Sequence, residues 1–382
     1  MTFFQRRKRI GGRRLLLGAV ASASLLLAAA CSGGAPDATG TGGSSGGGSK
    51  VVTDAMKPVT SLDMPTQAFT QPKDKRVLIM PCGSSGQGCV NEANVEKQVA
   101  ESLGWKVDMA DGKLDPTTWN QVVKQAADAG VDGIIAVSAD PNLYTEAMAV
   151  VKAKNIPFVL TQQPPGPNDV AGIGAYVATD PGPGGKDVAD WIKADSGGTA
   201  NVLVLDFPGF SAVQARAASI VDNLKADCSG CKVKKVDVSV QTMGTSLTPL
   251  VTSQLQQDPG ITYIWGSDDC CVSFMQQGIN VAGKSTDVKL LSMTGYPDQM
   301  NQLKSGEMAA ELATATPYSA WLAVDSLGRL MTGQQLEKKY WPVPQRIWST
   351  ESIGEAPASV FEVGWDTDVD YQPLFKKLWG QP

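Results

Sequence analysis

From Arg76 onward the chain alternates two spacings of apolar residues. Short continuous runs such as "RVLIM" (76–80), "GIIAV" (133–137), "PFVLT" (157–161), "NVLVLDF" (201–207) and "VKLLSM" (288–293) suit strands buried on both faces. Between them, apolar residues recur at helical spacing, as Val95, Val99 and Leu103 do in "NEANVEKQVAESLGW". "DPTTWNQVVKQAADAG" carries both punctuation marks of a helix: Asp115 as N-cap with Pro116 in the first turn, and Gly130 as stop. After residue 178 the alternation continues through helices at 187–195, 211–227, 247–257, 272–283, 298–306 and 318–333, and strands at 232–240, 262–266 and 308–314. Repeated strand–helix units predict parallel sheets with helices on both faces. Two runs of them, separated by the Pro- and Gly-rich stretch 162–185, predict an α/β fold of two doubly wound domains. Ligands of such sheets sit at the carboxyl ends of the strands.

The first 73 residues break this pattern. Six basic residues between Arg6 and Arg14 precede 16 apolar or small residues, 15–30, and then Cys31. That run is shorter than the ~20 residues a bilayer span needs, and it reads as a secretory signal. "LAAAC" resembles a bacterial lipoprotein cleavage site, which makes residues 1–31 a signal peptide ending at a lipidated Cys31. "RRLLLG" resembles a twin-arginine export signal, with an ordinary basic head as the alternative. Residues 32–73, rich in Gly, Ser, Thr and Pro, are expected to form a flexible tether.

Charge and cysteines narrow the function. The 382 residues hold 33 basic and 38 acidic side chains; removing the signal leaves 27 against 38, a net charge of −11. That balance speaks against nucleic acid or an anionic membrane surface as partner. The chain has no histidine, so the commonest metal ligand and general base are missing, and neither a metal nor a cofactor is expected. Setting Cys31 aside leaves Cys82, Cys89, Cys228, Cys231, Cys270 and Cys271. In an oxidising compartment, three disulfides is the economical reading.

The order of motifs resembles the type I periplasmic binding proteins of the ribose and galactose class. "AGVDGIIAVSAD", "VKAKNIPFVLTQQ", "VATDPGPGGKDVADWI", "YIWGSDDCCVSFMQQGINVAGKSTDVKLLSMTGYPD" and "LKSGEMAAELATATPYSAWLAVD" follow the family's order over about residues 75–350. The resemblance implies a two-lobed clamp with a cleft between the lobes and three hinge crossings, near Ala178, Thr316 and Val343. It places 74–178 with about 317–343 in an N-terminal lobe, and 179–316 with part of 344–382 in a C-terminal lobe. It implies a monomer that captures a small solute outside the cytoplasm and hands it to ABC permease subunits, the lipid on Cys31 holding it to the cell membrane.

At the family's sugar-reading positions this chain has Thr161 and Gln162 in place of an Asp–Arg pair. Gln214 stands in place of an Arg, with Arg216 nearby, and Asp268–Asp269 in place of Asn–Asp. Thr294 and Thr314 stand in place of an Asp and a Gln. With no Arg at an expected ligand position, a neutral or cationic ligand is favoured: a sugar, a polyol or a similar solute. Ser84, Ser85 and Gln87 in "PCGSSGQGC", together with Gln162, Phe207, Gln214, Asp268, Thr294, Tyr296 and Tyr318, are the expected ligand contacts. The plainer alternative for the first three is a loop that only shapes the rim. "CSGC" (228–231) follows a helix instead of opening one, the wrong polarity for a redox centre, and reads as a staple. Cys82 with Cys89 and Cys228 with Cys231 have local partners. Pairing Cys270 across the cleft would lock the lobes, so Cys270 and Cys271 are left to each other. A vicinal disulfide beside Asp268 is the reading, with two free thiols as its alternative. Asp269 is a possible cap for the helix beginning near Cys271. Catalysis by the two adjacent aspartates lacks a partner base, so no enzymatic activity is expected. A sensor that presents ligand to a signalling receptor, and less favourably a redox or hydrolytic enzyme on the same scaffold, are the competing functions.

Overall fold

The computed structural model describes residues 53–166 and 170–381. The expected signal peptide, the lipidation at Cys31 and the first part of the tether lie outside the described residues.

The first lobe follows the strand–helix alternation. β1 (Arg76–Pro81), α1 (Gln87–Ser102), β2 (Lys106–Met109), α2 (Pro116–Asp128), β3 (Gly133–Val137), α3 (Thr145–Ala153), β4 (Phe158–Thr161) and β5 (Ala175–Ala178) build most of it. The chain then passes to α4 (Pro181–Asp195), β6 (Asn201–Asp206), α5 (Ser211–Asp227), β7 (Lys232–Asp237), α6 (Met243–Gln257), β8 (Tyr263–Trp265), α7 (Val272–Val281), β9 (Lys289–Thr294), α8 (Pro297–Ser305) and β10 (Ala310–Thr314). It returns through α9 (Thr316–Met331) and β11 (Tyr340–Pro342), and crosses again into β12 (Gln345–Ser349), α10 (Val360–Val363) and α11 (Gln372–Leu378). One sheet runs β11-β5-β4-β3-β1-β2, all parallel. The other runs β12-β10-β9-β8-β6-β7, parallel except for β12, which pairs antiparallel with β10. This is the α/β architecture of two doubly wound domains that the spacing predicts. The central strands are apolar on both faces because helices cover both; β1 after Arg76 and all of β3 are buried.

Local chemistry explains the boundaries. Asp115 caps α2 by accepting from Thr118 N at 2.9 Å, and Gly130 takes the left-handed conformation (φ 69°) that ends the turn. α4 begins at Pro181, six residues before the sequence pattern shows a helix. Asp180 caps it, accepting from Gly182 N at 3.1 Å. The glycines inside it are there for close approach: a Cβ on Gly185 would lie 2.6 Å from Ser219 Cβ and 2.7 Å from Arg216 O on α5. β5, β11 and β12 do not stand out by periodicity: β5 lies in the Pro- and Gly-rich stretch 162–185, and β11 and β12 are interrupted by Pro342, Pro344, Gln345 and Arg346.

Residues 53–73 correct the expected tether. They form an ordered strap. Met56 sits in the core of the second lobe, its carbonyl accepting from Arg346 Nε at 3.0 Å. Val59 N donates to Asp368 at 2.8 Å, and Thr66 N to Glu337 at 2.8 Å. On the first lobe, Phe69 N donates to Leu378 O at 2.9 Å, and the Arg329 guanidinium covers the Phe69 ring at 4.2 Å. The C-terminal segment also visits both lobes. α10 packs on α8, whereas Trp379 beyond α11 stacks on Trp321 of α9, with ring centroids 5.2 Å apart.

Candidate ligand cleft

The carboxyl ends of the two sheets face one another. Two adjoining chambers of about 60 Å³ each lie between them. The first is polar, walled by Glu92 of α1, Gln162 after β4, Thr179 after β5, Arg216 of α5, Asp268 after β8 and Thr294 of β9. The second is mainly apolar, walled by the Cys82–Cys89 disulfide, Leu114, Phe207, Phe210 and Met243 among others. Gly88, Ser138, Gln162, Val213 and Asp268 border both. A larger groove of about 950 Å³ opens at the other end of the second sheet, beside Asp195, Gln276 and Lys289. It lies at the amino ends of the parallel strands, away from this convergence of buried polar groups.

The backbone is strained around the chambers. Seven described non-glycine residues have positive φ, and Ser138 (55°), Gln162 (58°) and Thr294 (130°) all wall the polar chamber. Such conformations cost on the order of 1–3 kcal/mol each and gather at ligand sites.

Burial sets the electrostatics. Arg216 is 3% exposed; its Nη2 donates to Thr179 Oγ1 at 2.7 Å, while Nε has no partner. Desolvation lowers its pKa to about 10, against the opposing pull of Asp268, so it remains cationic at neutral pH. Asp268 is pushed up, chiefly by desolvation, and held back by the Cys270 backbone N–H. Glu92 is raised to about 7 by burial; its Oε1 accepts from Ser319 Oγ at 2.5 Å. Behind it, Glu96 is raised further by burial and the Glu92 charge, and accepts from Thr161 at 3.1 Å.

The lobes touch across the cleft. Ser211 Oγ donates to Asp140 at 2.8 Å and receives a hydrogen bond from Gln163 Nε2. A Cβ on Gly88 at the start of α1 would lie 3.3 Å from both Asp268 Oδ2 and Tyr296 Oη.

Several expected contacts fall elsewhere. Ser85, Gln162, Phe207, Asp268 and Thr294 wall the chambers. Ser84 and Gln87 are exposed on the rim; Ser84 N donates to Asp111 at 2.8 Å. Gln214 lies outside both chambers and Arg216 inside. Two residues on a helix are about 200° apart, so only one can face the cleft. This corrects the expectation that no Arg stands at the ligand position. Tyr296 is buried behind Asp268, its hydroxyl without a hydrogen-bond partner. Tyr318 belongs to the core: its hydroxyl donates to Asp63 O at 2.9 Å, and its ring meets Tyr371 at 5.1 Å.

Of the three expected cysteine pairs, the two local ones form and the adjacent one does not. Cys82–Cys89 and Cys228–Cys231 are disulfides, with Cα separations of 5.6 and 5.3 Å. Cys270 and Cys271 are free thiols, so the vicinal bridge is not formed. Residues this close in the chain fall below the ordinary Cα range of a disulfide. Here the turn is held another way: Asp268 Oδ1 accepts from Cys270 N at 2.9 Å, and Cys271 Sγ donates to Asp268 O at 2.8 Å. Asp268 is thus the cap. Asp269 instead accepts from Gly295 N (3.1 Å) and Tyr296 N (3.2 Å), and desolvation with the neighbouring Asp268 raises it to about 8. Among the described residues, no cluster of three or more Cys, Asp or Glu is placed to hold a metal. No described helix is long and apolar enough to cross a membrane.

Glu92, Thr179, Arg216 and Phe210 are cleft residues that pattern reading missed. One signal was available for Glu92. Glu92, Glu96 and Val99 follow the i, i+4, i+7 stripe of the buried face of α1, an unusual place for two acids.

Residues 80–335 match the family model described as a periplasmic binding protein domain. The chain belongs to that family. Over 251 residues it is 22% identical to the ribose import binding protein of Haemophilus influenzae, covering 65% of this chain and 83% of the relative. The arabinose-transporter binding protein of Shewanella sp. ANA-3, solved with L-arabinofuranose, superposes with a TM-score of 0.66 at 19% identity, over 73% of this chain and 93% of that one. A solute-binding protein of Agrobacterium vitis, solved with α-D-tagatopyranose, gives 0.68 at 16% identity, over 77% and 100%. These relatives are binding components of transport systems, not enzymes.

Proposed function

We propose that the protein captures a small, neutral, polyhydroxylated solute, a sugar or polyol, between its lobes and delivers it to an ABC importer outside the cytoplasm. The observation that carries this reading is the polar chamber. It places a buried guanidinium with a free Nε beside a carboxylate, an amide and several hydroxyls, on strand ends that are strained to present them. Such a mixture of donors and acceptors matches vicinal hydroxyls, each of which gives and takes a hydrogen bond. Arg216 and Asp268 offset one another, which favours a neutral ligand over an anion. The three crossings at 178–181, 314–316 and 342–345 are suited to a hinge. Ser85, Gln162, Phe207, Asp268 and Thr294, with Glu92 and Arg216, are the proposed contacts. The family and the N-terminal signal support an extracytoplasmic location, with Cys31 as the lipid attachment point.

Calorimetric titration of the purified chain against pentoses, hexoses and hexitols tests the capture reading. At least one is expected to bind, and Arg216→Ala is expected to weaken it about 100-fold by removing charge-assisted hydrogen bonds. If neither a member of the panel nor a glycoside of one binds, the reading fails. In cells, Cys31→Ser is expected to move the protein from the membrane fraction to the medium or soluble fraction.

A further inference from the structure

We infer that the natural ligand is amphipathic: a polyhydroxylated head bearing a short apolar substituent, such as an alkyl or aryl glycoside. This rests on the capture reading above and narrows its substrate class. The polar chamber does not end the cleft. It continues past Gly88, Ser138, Gln162, Val213 and Asp268 into the second chamber. Of the side chains that belong to the second chamber alone, only Ser85 carries a hydroxyl, and none carries a charge or an amide. The rest are the disulfide, Leu114, two Phe rings, Val240, Met243 and the Cys270 thiol.

A free sugar does not satisfy this arrangement. A hydroxyl moved from water into the second chamber would find few partners, and each one left unpaired weakens binding. A sugar confined to the first chamber would leave the apolar wall facing water or a void. An apolar group there strengthens binding with each methylene removed from water. The wall suits a variable occupant: Met243 is flexible and half-buried, and the Phe210 ring, which meets Trp119 edge-on at 6.4 Å, is held in place. Leu114 adds a left-handed residue (φ 53°), strained on the apolar side as Thr294 is on the polar side.

The test compares matched pairs by calorimetry: each free sugar of the panel against its n-butyl and phenyl β-glycosides. The expected result is at least tenfold tighter binding of one glycoside than of its parent sugar, with a more negative heat-capacity change. Met243→Asn is expected to abolish that preference while leaving the parent sugar's affinity within about threefold. Val240→Ala, a milder change on the same wall, reads out the same preference if the first variant does not fold. If the parent sugar binds as well as or better than its glycosides, the inference is overturned and the capture reading stands. If neither the sugars nor their glycosides bind, both fall.

Discussion

Two turns face each other across the cleft, and both are built around a pair of cysteines. Each follows a strand, β1 or β8, and each opens a helix, α1 or α7. The first is closed by the Cys82–Cys89 disulfide, with Trp119 Nε1 donating to Cys82 O at 2.8 Å. The second has no crosslink. Its cysteines are thiols, and its shape comes from the two carboxylates before them, Asp268 capping the turn and Asp269 bonding to the β9–α8 loop. Seven positions of separation let a bridge form; adjacency leaves the work to buried acids. One wall is therefore sensitive to reductant and the other to protons.

The largest expected effect comes from emptying the acid-held turn. Asp269→Ala leaves the buried Tyr296 N–H without its acceptor and takes from the buried Gly295 N–H one of its two, Glu311 Oε1 at 2.8 Å being the other, and is expected to cost about 3 kcal/mol in urea unfolding. Asp269→Asn keeps an acceptor oxygen and should cost less than half as much; equal losses would show that the hydrogen bonds are not the cause. Next in size is the covalent turn. By the chain-entropy estimate for a loop of this length, Cys82→Ser with Cys89→Ser should lose about 2.5 kcal/mol. Reductant should destabilise the wild type by this amount plus the Cys228–Cys231 contribution, and the double variant by the Cys228–Cys231 contribution alone.

The pH response is smaller and its sign is fixed. Glu92 rises from 4.5 to about 7 and Asp269 from 3.8 to about 8. Between each pair of values the unfolded chain has released a proton that the folded chain keeps, so stability falls as pH rises through that window. Melting curves are expected to show a less stable protein at pH 8 than at pH 5. Glu92→Gln should remove on the order of 2 kcal/mol of that slope; an unchanged slope would place its origin elsewhere. The smallest effect belongs to the thiols. Cys270→Ser should shift stability by less than about 0.5 kcal/mol. Alkylation of the unfolded protein without reductant, read by peptide mass, should label both Cys270 and Cys271; no labelling of either would restore the vicinal bridge.

Most of the fold was legible because buried strands and one-faced helices write distinct periods into the chain. β5, β11 and β12 were not legible, since Pro, Gly and polar residues in and around them give a loop composition and they owe their existence to neighbours distant in sequence. The start of α4 was masked because glycines chosen for close helix packing look like loop residues. The cleft was partly legible. The family resemblance pointed to Gln162, Asp268 and Thr294, which wall the chambers, whereas choosing between Gln214 and Arg216 required the helix phase. The strap over residues 53–73 has a loop composition and was read as one; its order comes from partners that no local pattern reveals.

That strap ties the first part of the described chain to the last. Val59 binds a residue 309 positions later, and Met56 one 290 positions later. A chain emerging from a ribosome or crossing a membrane presents residues 54–69 long before Arg346, Asp368 or Leu378 exists to receive them. Both lobes can collapse on local strand–helix contacts, but the final fastening waits for the last forty residues. Deleting those residues would undo the beginning of the domain as well as its end, so an incomplete chain would expose a loose strap and two uncovered aromatic faces.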